Sequence, residues 1–159
     1  MCSIIGSFKK DKIIELVKLN QHRGNFSYSI SIFDINDSLY MVGNIRNFGK
    51  FDIKELDNCY VHSDSLGEYY YICHVQAPTN GLIKDRNRIH PNYFTNKSVD
   101  SELWHNGIIT AKGMDFIKEN IDNKDIDLNF DTALLNTIIC EKDYNILSEI
   151  DGLFTCVRY

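Results

Sequence analysis

The pattern of apolar and polar positions at the start of the chain indicates a strand followed by a helix. Residues 3–6 form a short apolar run that is typical of a buried strand. Residues 10–21 place apolar side chains on one helical face, with lysine and glutamate on the other. Gly24 follows and is typical of a helix stop. We therefore expect a helix that ends before residue 22.

The middle of the chain has the pattern of β-strands. Residues 27–35 alternate between apolar side chains and serines, and residues 39–45 form a second apolar run after an Asn-Asp-Ser turn signal. This pair predicts a β-hairpin. Residues 69–75 are aromatic and β-branched, which predicts a buried strand, whereas residues 47–68 carry only a weak signal.

The second half begins with a long polar segment and ends in helices and a strand. Residues 78–100 are rich in Asn, Asp, Lys and Arg, and we expect a long functional loop there. The dipeptide Asn106-Gly107 favours a tight β-turn. Asp131 is a good N-cap for a helix. The remaining patterns predict helices at residues 111–121, from residue 131 onwards and at 144–150, and a closing strand at 153–157.

The order of these elements indicates the fold class. A strand and a helix are followed by several strands, then helices, then a last strand, without β-α-β alternation. This order favours an α+β domain in which helices pack on antiparallel sheets. The chain has 159 residues, of which 43% are hydrophobic, so we expect a single globular domain over residues 1–159.

Charge and hydropathy exclude two classes of partner. The formal net charge is −5, which leaves no basic surface for phosphate groups, so we expect no nucleic-acid partner. The longest apolar runs are far shorter than the roughly 18 residues that span a membrane, and the N-terminus lacks the pattern of a secretory signal. We therefore expect no membrane association.

Cysteine and histidine usage bears on compartment and metal binding. The five cysteines are an odd set without a Cys-x-x-Cys pair, which is typical of a reduced cytoplasmic protein. The five histidines are scattered, and no two have the i, i+4 spacing of a helical metal site. We expect neither a metal nor a cofactor.

The N-terminus offers one candidate nucleophile, Cys2. A small residue after Met1 permits removal of the initiator methionine, which would leave a cysteine with both a thiol and a free α-amine. These two groups ordinarily titrate within about one pH unit of each other, so the amine can accept the thiol proton near neutral pH. By itself, however, a cysteine at this position is more typical of a small buried apolar residue.

Four separate stretches of sequence together point to one enzyme family. They are Cys2-Ser3-Ile4-Ile5-Gly6, His22-Arg23-Gly24, His74 to Gly81 followed by His90-Pro91, and His105-Asn106-Gly107 with Asp131-Thr132. In this order and at these spacings they resemble the class II glutamine amidotransferase domain, the N-terminal-nucleophile glutaminase of asparagine synthetase and glucosamine-6-phosphate synthase. The resemblance spans nearly the whole chain.

The resemblance implies a fold and a reaction. The implied fold is the four-layer αββα arrangement of N-terminal-nucleophile hydrolases, with antiparallel sheets but without the family's last strands. In the family, the N-terminal cysteine attacks the side-chain amide of glutamine, releases ammonia and leaves a glutamyl thioester that water hydrolyses. Cys2 fills the nucleophile's position, and L-glutamine is the implied substrate. Asn106, through its side-chain amide, and Gly107, through its backbone N–H, correspond to the family's oxyanion hole.

The resemblance also implies which residues bind the substrate. Asp131 corresponds to the aspartate that binds the α-ammonium group. Arg23 corresponds to an arginine that supports the site near the nucleophile. Thr79 corresponds to a substrate-contacting threonine, and His90 corresponds to a histidine before proline in the same loop.

The sequence departs from the family at Gln76. The family has an arginine here, which grips the substrate carboxylate through paired N–H donors, whereas glutamine carries no charge. Because hydrogen bonds to charged groups are worth about 1.5–3 kcal/mol, an uncompensated loss would weaken glutamine binding about ten- to a hundred-fold. Either Arg86 or Arg88 supplies the missing charge, or the substrate is not free glutamine.

A second departure is the absence of a synthase or acceptor part after Tyr159. We therefore expect ammonia to pass to a separate acceptor protein, unless the chain is a fragment or a split product. Two other hypotheses remain open at this stage. One is an N-terminal-nucleophile amidase that acts on a different amide, and the other is a catalytically silent binding or regulatory module of the same fold.

Overall fold

A computed structural model describes residues 2–36, 39–58, 68–77, 84–96 and 98–159. Within these ranges the chain has an α+β fold with two antiparallel sheets, which confirms the expected class. It divides into two compact units, Met1–His90 and Pro91–Tyr159. None of the helices in the described ranges is long and apolar enough to span a bilayer.

The first unit is built on a four-stranded sheet with the strand order β1-β4-β2-β3. Its elements are β1 (Ser3–Ser7), α1 (Lys10–Asn20), β2 (Ser27–Asp34), β3 (Tyr40–Phe48), α2 (Ile53–Asn58), β4 (Tyr69–Gln76) and a short 3₁₀ helix (Arg86–Arg88). The predicted hairpin is confirmed, since β2 and β3 pair in antiparallel register. β4 returns to pair with both β2 and β1, which places the first strand of the chain beside the end of β4.

One face of this sheet packs on α1 and forms the core of the unit. Ile13 and Val17 of α1 are fully buried, and they belong to one cluster with Ile30 of β2 and Cys73 of β4. The apolar residues that are spaced along one helical face in the sequence are therefore the ones that contact the sheet. Burial of each such aliphatic side chain is worth about 1.5–3 kcal/mol, so this contact is a main source of the unit's stability.

The opposite face of the sheet carries a cluster of polar residues, although β2 is buried along its whole length. Residues that pair directly across strands share a face, so the register groups seven polar residues on this side. We call it the polar face; its polar members are Ser27, Ser29, Ser31, Asn44, Arg46, His74 and Gln76. The serines that alternate with apolar residues in the sequence thus lie in a buried polar row.

Two predictions for the first unit are wrong in detail. The helix ends at Asn20, as expected, but Gln21 caps it, and Gly24 lacks the left-handed conformation of a helix stop. The segment 78–100 is not one long loop, because it contains the 3₁₀ helix and a strand at its end. In both cases tertiary contacts outweigh the local signal, which had predicted a helix stop at Gly24 and a loop over residues 78–100.

The second unit is built on a three-stranded antiparallel sheet with the order β5-β6-β7. Its elements are β5 (Asn92–Thr95), β6 (Asp100–Ile109), α3 (Ala111–Asn120), α4 (Asp131–Lys142), a 3₁₀ helix (Tyr144–Glu149) and β7 (Gly152–Arg158). The two predicted helices, the short helix and the closing strand are therefore confirmed. Leu103 of β6 packs with Leu134 and Ile138 of α4 in the core of this unit.

Two further predictions need correction here. Asn106-Gly107 is not a turn, because β6 continues through both residues and pairs them with Thr155 and Phe154 of β7. Asp131 is the first residue of α4 and not its N-cap, a position that Phe130 occupies. The Asp131 carboxylate nevertheless accepts a hydrogen bond from the Thr132 N–H, 2.8 Å away, so it still pairs with an N–H that has no partner within the helix.

Candidate functional site

Cys2 lies just before β1 and beside the end of β4. The pairing of β1 with β4 extends to Ser3 and Val75, which brings Cys2 next to the segment that follows Gln76. The thiol donates to the carbonyl oxygen of Ala77 at 3.4 Å, and the Ala77 N–H donates back to the sulfur at 3.4 Å. The half-buried thiol is therefore held by both polar groups of one backbone residue.

The His22-Arg23-Gly24 stretch reaches the same segment. A Cβ atom built on Gly24 would lie 2.5 Å from the carbonyl carbon of Gln76 and 2.8 Å from the nitrogen of Ala77. Only glycine permits this approach, which explains the residue better than the predicted helix stop does. Arg23 is the exposed neighbour of this contact in the chain.

Gln76 is oriented by a buried serine. The Ser27 hydroxyl donates to Oε1 of Gln76 at 2.6 Å, and Ser27 itself is fully buried. Because the oxygen of the amide is engaged in this way, Nε2 is the group that Gln76 offers to a ligand. Sequence reasoning missed Ser27, and its only signal was the alternation of serines along β2.

His90 packs on His74 of the polar face. The two imidazole rings have centroids 4.0 Å apart and an interplanar angle of 36°, and both residues are buried. His74 precedes Gln76 by two positions on β4, so His90 is held near the strand end that Cys2 contacts. Thr79, the other substrate-binding prediction in this stretch, lies outside the described residues.

Arg46 holds the segment that leads to His90, and sequence reasoning missed it as well. Its Nη2 donates to the backbone carbonyl of Arg86 at 2.7 Å and also to that of Ile89. A charged residue directly after the apolar run 39–45 was the available signal. The sequence raised Arg86 as a replacement for the missing arginine, yet the described contact of Arg86 is through its backbone oxygen.

In the second unit, His105 lies next to the start of α4. Its Nδ1 is 3.2 Å from the Thr132 hydroxyl and 3.8 Å from Oδ2 of Asp131. The Thr132 hydroxyl donates to Oδ1 of Asp131 at 3.3 Å, so the hydroxyl oxygen is left to accept from His105 Nδ1–H. Two stretches that are separate in the sequence thus form one hydrogen-bonded group.

Burial decides the charge of His105. Removal from water lowers the pKa of His105, and the nearby Asp131 carboxylate raises it by a smaller amount. The net direction is downward, so the imidazole is neutral near neutral pH. A neutral imidazole leaves the negative charge of Asp131 uncompensated by this neighbour.

Asn106 and Gly107 follow His105 on β6. Successive side chains of a strand point to opposite faces, so Asn106 lies on the face away from His105, where it is half-buried. Gly107 has φ = +150°, and a Cβ there would lie 2.4 Å from both the Leu153 oxygen and the Phe154 Cα. Glycine is therefore required by conformation and by space at this position.

The predicted site residues that the structure describes thus form two groups, one in each unit. The first contains Cys2, Gly24, Gln76 and His90 with their neighbours, and the second contains His105-Asn106-Gly107 with Asp131-Thr132. Across the described ranges, no group of three or more His, Cys, Asp and Glu side chains is placed to hold a metal ion. No protein-family model matches the sequence, and a search of curated proteins finds no match.

Proposed function

We propose that this protein is a glutamine amidotransferase glutaminase, which hydrolyses the side-chain amide of L-glutamine through Cys2 and passes the ammonia to a separate acceptor protein. The observation that carries the proposal is the contact of the Cys2 thiol with Ala77, at the point where Gly24 packs on the Gln76–Ala77 peptide. Three stretches that are separate in the sequence meet at the candidate nucleophile.

The chemistry begins with removal of Met1, which frees the α-amine of Cys2 as a base. The amine takes the thiol proton, and the sulfur attacks the amide carbon of glutamine. The Ala77 N–H that points at the sulfur stabilises the thiolate. When the tetrahedral intermediate collapses, the C–N bond breaks, the amine returns the proton to the leaving nitrogen, and ammonia departs. Water then attacks the thioester and releases glutamate and the free cysteine.

Asn106 and Gly107 keep the role that the resemblance gives them, as donors to the tetrahedral oxyanion. One such donor is worth about 2.7–4 kcal/mol in the transition state. Asn106→Ala is therefore expected to lower kcat about a hundred- to a thousand-fold. The strict requirement for glycine at position 107 supports a fixed backbone geometry at this point.

Asp131 in the second unit and Gln76 in the first each offer a polar group of the kind that one end of glutamine needs. The Asp131 carboxylate lies beside a neutral imidazole, so its charge is available for an α-ammonium group. The Nε2 of Gln76, oriented by Ser27, can donate to the α-carboxylate. Arg23, Thr79 and His90 complete the proposed substrate-binding set.

The proposal also covers the domain organisation, the fold, the compartment and the partners of the protein. It places residues 1–159 in a single glutaminase-like domain with the four-layer αββα fold, and two antiparallel sheets with packed helices are compatible with that fold. It also takes the protein to be cytoplasmic, without a nucleic-acid or membrane partner. The net charge of −5 and the odd number of cysteines support these expectations.

The decisive experiment combines a glutamate-release assay with labelling by a glutamine-mimicking electrophile. Wild type is expected to release glutamate and to carry one adduct on Cys2, and Cys2→Ala should lose both. Cys156→Ala is the matched control, because burial raises the pKa of the Cys156 thiol and keeps it protonated. Intact mass must show that Met1 is absent; an active native protein that retains Met1 would contradict the mechanism.

A second candidate is an N-terminal-nucleophile amidase for another amide, and the neutral donor of Gln76 favours it. In that case, wild type would be labelled at Cys2 and would hydrolyse other amides, while millimolar glutamine released no glutamate. Gln76→Arg separates the two candidates, because it should lower the KM for glutamine only if position 76 meets the α-carboxylate. Absence of any Cys2 adduct in a folded, Met1-free protein would instead indicate a silent module.

A further inference from the structure

Arg46 links two parts of the first unit that are far apart in the sequence. It lies on β3 directly across from Ser29, and Ser29 pairs on its other side with His74. Arg46, Ser29 and His74 therefore form one row across the polar face. From this row the Arg46 guanidinium reaches the backbone carbonyls of Arg86 and Ile89.

These two hydrogen bonds grip the chain immediately before His90. Arg86 and Ile89 are the first residue and the C-cap of the 3₁₀ helix, and Ile89 is buried. The next residue, His90, stacks on His74 with a centroid distance of 4.0 Å. The row on the polar face thus contains His74 and, through Arg46, holds the backbone that leads to His90.

We infer that Arg46 is a positioning residue, which holds residues 86–89 on the polar face so that His90 stays stacked on His74. Its consequence for substrate rests on the proposed function, in which His90 belongs to the glutamine-binding set. Loss of Arg46 should then weaken substrate binding and leave the chemistry at Cys2 largely intact.

The side chain that is present suits this geometry. The Nη2 of a guanidinium carries two N–H donors in a rigid plane and remains charged, so it can bond two carbonyls that lie close together. Lysine carries a charge of the same sign but lacks the planar group, and methionine keeps only the apolar stem. Arg46→Lys and Arg46→Met therefore form a graded pair.

The first readout needs no substrate. In wild type, the His90 imidazole should show NMR resonances shifted by the facing His74 ring, identified by their loss in His90→Gln. Arg46→Met should move these signals towards those of a free imidazole and should speed amide hydrogen exchange at residues 87–90 at least ten-fold. Arg46→Lys should lie between Arg46→Met and wild type.

The second readout is kinetic. Arg46→Met should raise the KM for L-glutamine about ten- to a hundred-fold, which is the factor that the loss of one hydrogen bond to a charged group represents. The kcat should stay within about three-fold of the wild-type value. Lys84→Met is the matched control, because it removes the charge of an exposed side chain in the same segment and keeps both carbonyls that Arg46 bonds. It should resemble wild type in both readouts.

The outcomes separate this inference from the proposed function. Unchanged His90 signals and exchange rates in Arg46→Met would overturn the inference, as would loss of thermal stability alone. If Arg46→Met fails to fold, Arg46→Lys decides: intermediate signals support the positioning role, and wild-type signals overturn it. A wild type that releases no glutamate defeats the proposed function, whereas the magnetic resonance and exchange results still decide the role of Arg46.

Discussion

The sulfur of Cys2 lies 3.4 Å from both the amide nitrogen and the carbonyl oxygen of Ala77, 75 residues further along the chain. Gly24 packs on the peptide group that joins Gln76 to Ala77. The Gln76–Ala77 peptide, whose N–H donates to the sulfur, therefore links the candidate nucleophile to Gly24. Variants that move this peptide should affect Cys2 without touching it.

Gly24→Ala is expected to displace the Gln76–Ala77 peptide, because the new Cβ would lie 2.5 Å from a backbone carbon that cannot rotate away. Overpacking of this kind costs about 1–3 kcal/mol. We expect a matching loss in the free energy of unfolding by urea, together with labelling of Cys2 slowed at least ten-fold. Gly6→Ala is the control, since its Cβ would meet mainly the movable hydroxyl end of Tyr70. Equal labelling rates in Gly24→Ala and wild type would refute the prediction.

Gly107→Ala is expected to destabilise the protein by about 3 kcal/mol or more. Overpacking against Leu153 and Phe154 of β7 adds to the strain of a side chain at positive φ, which costs about 1–2 kcal/mol. Gly49→Ala isolates the second contribution, because Gly49 has φ = +90° with no atom within 4 Å of its Cβ position. Urea unfolding of both variants measures the difference, and similar losses would show that space at position 107 is not limiting.

The stability of the folded protein should fall as the pH is lowered from about 7, in part because of His105. Burial lowers the pKa of His105 in the folded state, whereas the pKa of a histidine in the unfolded chain is about 6.5. Between these two values the unfolded chain binds a proton that the folded chain does not, so acid favours unfolding. His105→Gln should show a smaller loss of unfolding free energy between pH 7 and 5. An unchanged slope in His105→Gln would contradict the assignment.

Tyr28→Phe should destabilise the first unit without affecting Cys2. The buried Tyr28 hydroxyl donates to the Glu55 carboxylate, which also accepts from Nδ2 of Asn47 at 2.8 Å. Burial and the bond to Glu55 raise the pKa of Tyr28 well above its usual range, so it remains a donor at any working pH. Its loss leaves a partly buried carboxylate with one donor fewer, which costs about 1–3 kcal/mol in urea unfolding. The Cys2 labelling rate should stay at the wild-type value; a slower rate would show that the two regions are coupled.

The elements that the sequence predicted correctly are those with a clear hydrophobic period or a continuous apolar run. The helices that begin at Lys10 and Ala111 are confirmed, because each buries regularly spaced apolar residues. The helix that begins at Asp131 is confirmed as well, although it is buried at every position from Thr132 to Ile139. Local signals failed where pairing outweighed them. Asn106-Gly107 prefers a turn in isolation, yet pairing with β7 carries both residues through as strand, and the positive φ of Gly107 is accommodated within it.

The sequence by itself determined the fold class and singled out the stretches around Cys2, Gln76 and Asp131, because residue type and order carry that information. Only the tertiary structure decided which side chains support them. Ser27 reaches Gln76 across 49 positions, and Arg46 reaches Ile89 across 43. Such contacts depend on strand order and register, which no local pattern encodes. A buried serine and a half-buried arginine acquire their roles only when the sheet brings their partners beside them.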